Sequence, residues 1–121
     1  MTIPLLRSAL LLAIGLITTL SHAVEVRFAP VAPGVYAFVG EKGGRTYENE
    51  GLNANFGLVV TPAGALLVDS GASYLGAKQI HEAVKKVTSQ PVKWVINTGG
   101  QDHRWLGNGY FLAQGAEVIA H

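Results

Sequence analysis

Apolar and polar positions change period several times along the chain, and each change marks a predicted element. Val24–Phe28 and Val35–Val39 (VYAFV) are short apolar runs separated by Pro30 and the Pro33-Gly34 turn signal. They read as strands. Glu41–Asn53 (EKGGRTYENEGLN) is polar and glycine-containing, and reads as a surface loop. Asn55–Thr61 (NFGLVVT) and Ala65–Asp69 (ALLVD) flank Pro62-Ala63-Gly64, a hairpin signature. Both runs are apolar without clean alternation, as strands covered on both faces are. From Tyr74 to Thr88 the period lengthens. Leu75, Ala77, Ile80, Ala83, Val84 and Val87 share one helical face, leaving Lys78, Glu82, Lys85 and Lys86 outside. Ser73 is the expected N-cap and Pro91 the stop. Val92–Asn97 (VKWVIN) predicts the next strand, Thr98–Asn108 a glycine-rich loop, Gly109–Gln114 a short helix and Glu117–Ala120 (EVIA) a last strand. The expected order is β-β-β-β-α-β-α-β, a mixed α+β or α/β sheet covered by helices.

The N-terminus carries a different pattern. Met1–Arg7 is a short segment with one positive charge, Ser8–Leu20 (SALLLAIGLITTL) is an apolar run, and Ser21-His22-Ala23 places small residues before a cut. This is the three-part pattern of a signal peptide, residues 1–23. The apolar run spans only about 20 Å as a helix, against a hydrocarbon core of about 30 Å, so a membrane anchor is the weaker reading. Cleavage after Ala23 predicts a periplasmic or secreted domain over residues 24–121, with no membrane attachment afterwards. Removing Arg7 with the leader leaves basic and acidic residues balanced.

Composition narrows the function classes. The chain has 121 residues, 49% hydrophobic and 14% charged, with a formal charge of +1 and no basic stripe. Neither a disordered tail nor a nucleic-acid partner fits. No cysteine is present, which removes disulfides, thiolate metal ligands and a thiol nucleophile. Ser70 and Ser73 lack spaced partners for a triad, and Ser70 is not in a Gly-x-Ser-x-Gly context. Gly99-Gly100 lacks the spacing of a phosphate loop. His81 reads as a solvated helix residue, and Trp94 and Trp105 as packing residues. His121 ends the sequence and is given a structural role.

Ligands of open α/β sheets bind outside the carboxyl ends of parallel strands. Two polar loops fall at such ends, Asp69-Ser70-Gly71 and Thr98–Asn108. Together NFGLVVTPAGALLVDSG, KWVINT and LGNGYFLAQGAEVIAH resemble the N-terminal half of the metallo-β-lactamase superfamily, from Asn53 to His121. The resemblance implies half of an αββα sandwich, zinc in full-length relatives, and metal-assisted hydrolysis of an ester, thioester or lactam. It also implies a sheet face that a second half, or a homodimer partner, covers. The chain therefore reads as a fragment of a hydrolase-like protein, inactive as given.

The metal motif departs from the family. In ungapped alignment the stretch His-x-His-x-Asp-His falls on Gly99, Gly100, Gln101, Asp102, His103 and Arg104. Gly99 brings no ligand, Gln101 a weak one, and Arg104 a permanent positive charge. Asp102 and His103 are the candidate metal residues that remain, with Asp69 as a third. Loss of the ions favours a rival reading, a non-catalytic periplasmic binding or scaffold module without metal; a small-molecule substrate belongs to the active reading. In the family fold the two loops converge. Arg104 is then expected to brace them, with Asp69 or Asp102 as its partner.

Overall fold

The structure is a computed structural model, and it describes residues Val24–His121. The expected signal peptide, residues 1–23, lies outside the described residues. Six strands form one sheet in sequence order: β1 (Ala29–Ala32), β2 (Val35–Phe38), β3 (Phe56–Thr61), β4 (Gly64–Val68), β5 (Val92–Ile96) and β6 (Glu117–Ile119). β1 to β4 are antiparallel neighbours, while β5 runs parallel to β4, and β6 to β5. Three helices connect the second half: α1 (Tyr74–Val87), α2 (Asp102–Trp105) and α3 (Asn108–Ala113).

Three expectations need correction. Val24–Phe28 is not a strand: Val26 and Phe28 bury their side chains from an irregular segment, and the first strand lies one step further on. That strand contains Pro30, which lacks an N–H, and it is accommodated because β1 is an edge strand. Thr98–Asn108 is not all loop, because Asp102–Trp105 closes one helical turn through Leu106 N–H to Asp102 O at 3.0 Å. The order is therefore β-β-β-β-α-β-α-α-β.

α1 forms where its periodicity predicts. Ser73, in extended conformation, accepts a hydrogen bond from Gly76 N–H on its side chain at 2.9 Å, satisfying one of the free donors of the first turn. Lys85 and Lys86 in the last turn oppose the negative end of the helix dipole. Gly76, Ala77, Ile80, Ala83 and Val84 face the sheet, where they join Phe56, Leu58, Leu67, Val95 and, from α3, Phe111. Phe111 is fully buried, so trimming it to alanine would cost roughly 3–5 kcal/mol.

The two faces of the sheet differ. Alternation sends Leu58, Leu67 and Val95 toward the helices and Val59, Leu66, Val68, Trp94 and Ile96 the other way. The second set is half-buried, and Ile119, which pairs with Ile96, is exposed. Among the described residues no helix lies over that face. The carboxyl ends of β4, β5 and β6 meet at one corner, and that corner carries the polar loops.

Candidate functional site

The corner is assembled by main-chain bonds between two loops. β4 passes into Asp69, a non-glycine residue at φ 64. That left-handed conformation is uncommon for a residue with a Cβ and is held here by neighbours on both sides. Asp69 N–H donates to Ile96 O at 2.8 Å, Ser70 N–H to Arg104 O at 2.9 Å, and Gly107 N–H to Gly71 O at 3.0 Å. The approach is close enough to require glycine at 107, since a Cβ there would stand 2.0 Å from Ser70 O.

Side chains fill the junction in two groups. In the first, Asp69 is 2% exposed and accepts three hydrogen bonds. Thr98 N–H donates to its Oδ1 at 2.8 Å, the Thr98 hydroxyl to Oδ2 at 2.7 Å, and Arg104 Nη1 to Oδ2 at 3.3 Å. Arg104 Nη1 also donates to the Thr98 hydroxyl oxygen, and Arg104 Nε to Gln101 Oε1 at 2.7 Å. The second group is neutral. Asn108 Nδ2 donates to Asn97 Oδ1 at 2.7 Å, Asn97 Nδ2 to Arg104 O at 2.8 Å, and the Ser70 hydroxyl to Asn108 Oδ1 at 2.7 Å.

Asp102 lies apart from this junction. Its Oδ2 accepts from Arg45 Nη1 at 2.7 Å and its Oδ1 from His103 N–H at 2.8 Å. The Arg45 hydrogen bond, aided by the His103 N–H and both neighbouring charges, holds the Asp102 carboxyl below the usual carboxylate range. His103 Nδ1 is 3.7 Å from Asp102 Oδ1, beyond hydrogen-bond reach. The structure thus brings Asp69 to Arg104 and pairs Asp102 with Arg45 instead.

Arg45 comes from the long polar loop after β2, and sequence reasoning gave it no role. The buried Asn49 shapes that loop, accepting from Thr46 N–H and Gly51 N–H and donating to Gly44 O. Asn49 with Gly51 two positions on, within a polar run, signals a local turn, but nothing in it names the partner that Arg45 finds 57 positions away. Thr98 and Gln101 were also missed as partners of the arginine. Two further readings are corrected. His81 is half-buried, with Nδ1 3.0 Å from the Tyr110 hydroxyl. Burial first, and Lys85 second, lower its pKa. Trp105 is 43% exposed rather than packed, and its indole N–H donates to Gly100 O at 3.1 Å.

Beside the junction a cleft of about 540 Å³ opens between the ends of β5 and β6. It is lined by Asn97, Thr98, Gly99, Gly100, Trp105, Asn108, Ala120 and His121. No group of three His, Cys, Asp or Glu side chains able to hold a metal ion occurs among the described residues.

The sequence matches no protein-family model and no curated protein. Solved structures do match. The metallo-β-lactamase FIM-1 from Pseudomonas aeruginosa, in its mono-zinc form, superposes with a TM-score of 0.66 at 24% identity, over 82% of this chain. A metallo-β-lactamase from Pontibacter korlensis gives 0.61 at 21% identity over 78%, and one from Hirschia baltica 0.64 at 19% over 80%. In each case the chain spans 43% of the matched structure. At these identities the likeness is one of fold: the described residues have the fold of part of a metallo-β-lactamase.

Proposed function

From the metallo-β-lactamase fold as premise, we propose that this chain is an exported, metal-independent binding module. It takes a small, neutral organic molecule in the cleft at the ends of β5 and β6. The observation that carries this is the cleft's lining. The amides of Asn97 and Asn108 and the Thr98 hydroxyl are bonded within the junction. The lining therefore offers a ligand the backbone of Gly99 and Gly100, the His121 imidazole and the partly exposed Trp105 ring, for hydrogen bonds and stacking, and no Asp or Glu side chain lies among the lining residues.

Zinc, present in the FIM-1 structure, does not suit the residues found here. A catalytic zinc takes about three protein ligands and an open position. The oxygens of Asp69 are engaged by Thr98 and by a guanidinium, and Asp102 is paired with Arg45. Hydrolysis of an ester, thioester or lactam is therefore not assigned to the described residues. The apolar face of Val59, Leu66, Val68, Trp94 and Ile96 supports a further half of the fold, or a second copy, as its cover.

The test uses full-length protein in the presence of a chelator. Ligands from a library of neutral small molecules should quench or shift Trp105 fluorescence, and Trp105→Ala should abolish binding. Turnover of a chromogenic lactam or thioester that the chelator stops would overturn the reading. Export has its own check. N-terminal sequencing of extracytoplasmic protein should begin at Val24, and an intact Met1 chain held in the membrane would contradict it.

A further inference from the structure

The geometry points to Arg104 as a built-in replacement for a metal ion: its guanidinium supplies, from the chain itself, the positive charge that ties the Asp69 loop to the loop after β5. This deepens the metal-independent reading above and rests on it.

Asp69 is 2% exposed, and a carboxylate withdrawn from water needs compensating charge or donors. Thr98 provides two donors but no charge. Of the cationic side chains among the described residues, Arg104 is the one in ion-pair range of Asp69, at 3.3 Å. Its other contacts fix it in place. Nε is held by Gln101, and Nη1 is shared between Asp69 and the Thr98 hydroxyl. Its own carbonyl accepts from Ser70 N–H and Asn97 Nδ2, so the backbone that carries the cation is pinned to both loops.

Neighbouring residues are consistent with this occupant. An added Cβ at Gly99 would lie 3.3 Å from Arg104 Cδ, so glycine leaves room for the arginine stem. Gln101 presents a neutral oxygen to Nε, a suitable acceptor for a guanidinium and a weak ligand for zinc. Of the four positions that depart from the metal motif, Gly99, Gln101 and Arg104 therefore act together: one gives space, one orients, one carries the charge, while His103 at the fourth takes no part.

Chemical rescue tests this on the full-length chain. Thermal unfolding is followed with zinc, with a chelator, and with methylguanidinium, and no cleft ligand is added, so failure here and failure of the cleft reading are separate results. Wild-type protein should unfold at the same temperature with zinc as with chelator. Arg104→Ala should unfold several degrees lower, and methylguanidinium should restore most of that loss while leaving the wild type unmoved. Arg104→Lys, which keeps the charge without the fork, should fall between the two. If Arg104→Ala does not fold, the order Arg above Lys above the uncharged isostere Arg104→Met decides the matter. An Arg104→Ala midpoint equal to wild type, an Arg104→Met midpoint equal to or above that of Arg104→Lys, or a zinc-dependent rise in the wild type would overturn the proposal.

Discussion

Two carboxylate–guanidinium pairs sit a few residues apart in this fold, and they differ in nearly everything except their chemistry. In Asp69–Arg104 the carboxylate side chain is 3% exposed and the pair spans 3.3 Å. In Asp102–Arg45 the contact is shorter, 2.7 Å, yet both side chains are more than two-fifths exposed. Distance alone would rank the second pair higher. Burial reverses the order, because water screens the exposed pair while the buried carboxylate has few substitutes for its partners. Asp69 also has two Thr98 donors and a constrained backbone around it, so its removal leaves several polar groups unpaired.

That contrast is open to direct perturbation. Asp69→Ala should destabilise the protein by roughly 3 kcal/mol in urea unfolding, since it strands Arg104 and both Thr98 donors. Next in size is Gly107→Ala. Its Cβ would meet Ser70 O at 2.0 Å, so the loops must separate, with an expected loss of roughly 1–3 kcal/mol. If the brace depends on that close approach, Gly107→Ala and Arg104→Met should be less than additive.

A smaller effect is expected from pH, away from both pairs. His81 has a lowered folded pKa, so the unfolded chain holds more protons between the ordinary value of 6.5 and the folded one. Stability is then full above that window and falls as pH drops through it. His81→Phe should flatten this part of the profile, leaving the acid limb set by carboxylates such as Asp102, which lose their contribution at lower pH. Arg45→Ala should have the least effect. Its change in unfolding midpoint should be slight and should vanish in high salt, whereas the Asp69→Ala loss should persist.

Legibility in the sequence followed the range of the interactions involved. The β3–β4 hairpin, α1 with its Ser73 cap, and β5 were readable because turn residues, periodicity and caps act within a few positions. The resemblance carried by DSG, KWVINT and LGNGYF pointed to the fold, and it implied that the two loops meet. β1 was misplaced because Val24–Phe28 alternates like a strand, while its buried side chains serve the core without a ladder partner. α2 was hidden because one turn has no periodicity to detect. The Arg45–Asp102 pair and the His81–Tyr110 contact depend on how distant elements pack, and no local pattern encodes that.

Where the two loops meet, a side chain rather than an ion supplies the positive charge. Elemental analysis of purified full-length protein, after exposure to zinc and gel filtration, reads this out. Zinc should be far below one equivalent per chain, with the same value for His103→Ala. Stoichiometric zinc in the wild type that is lost in His103→Ala would contradict it and restore Asp102 and His103 as a metal site.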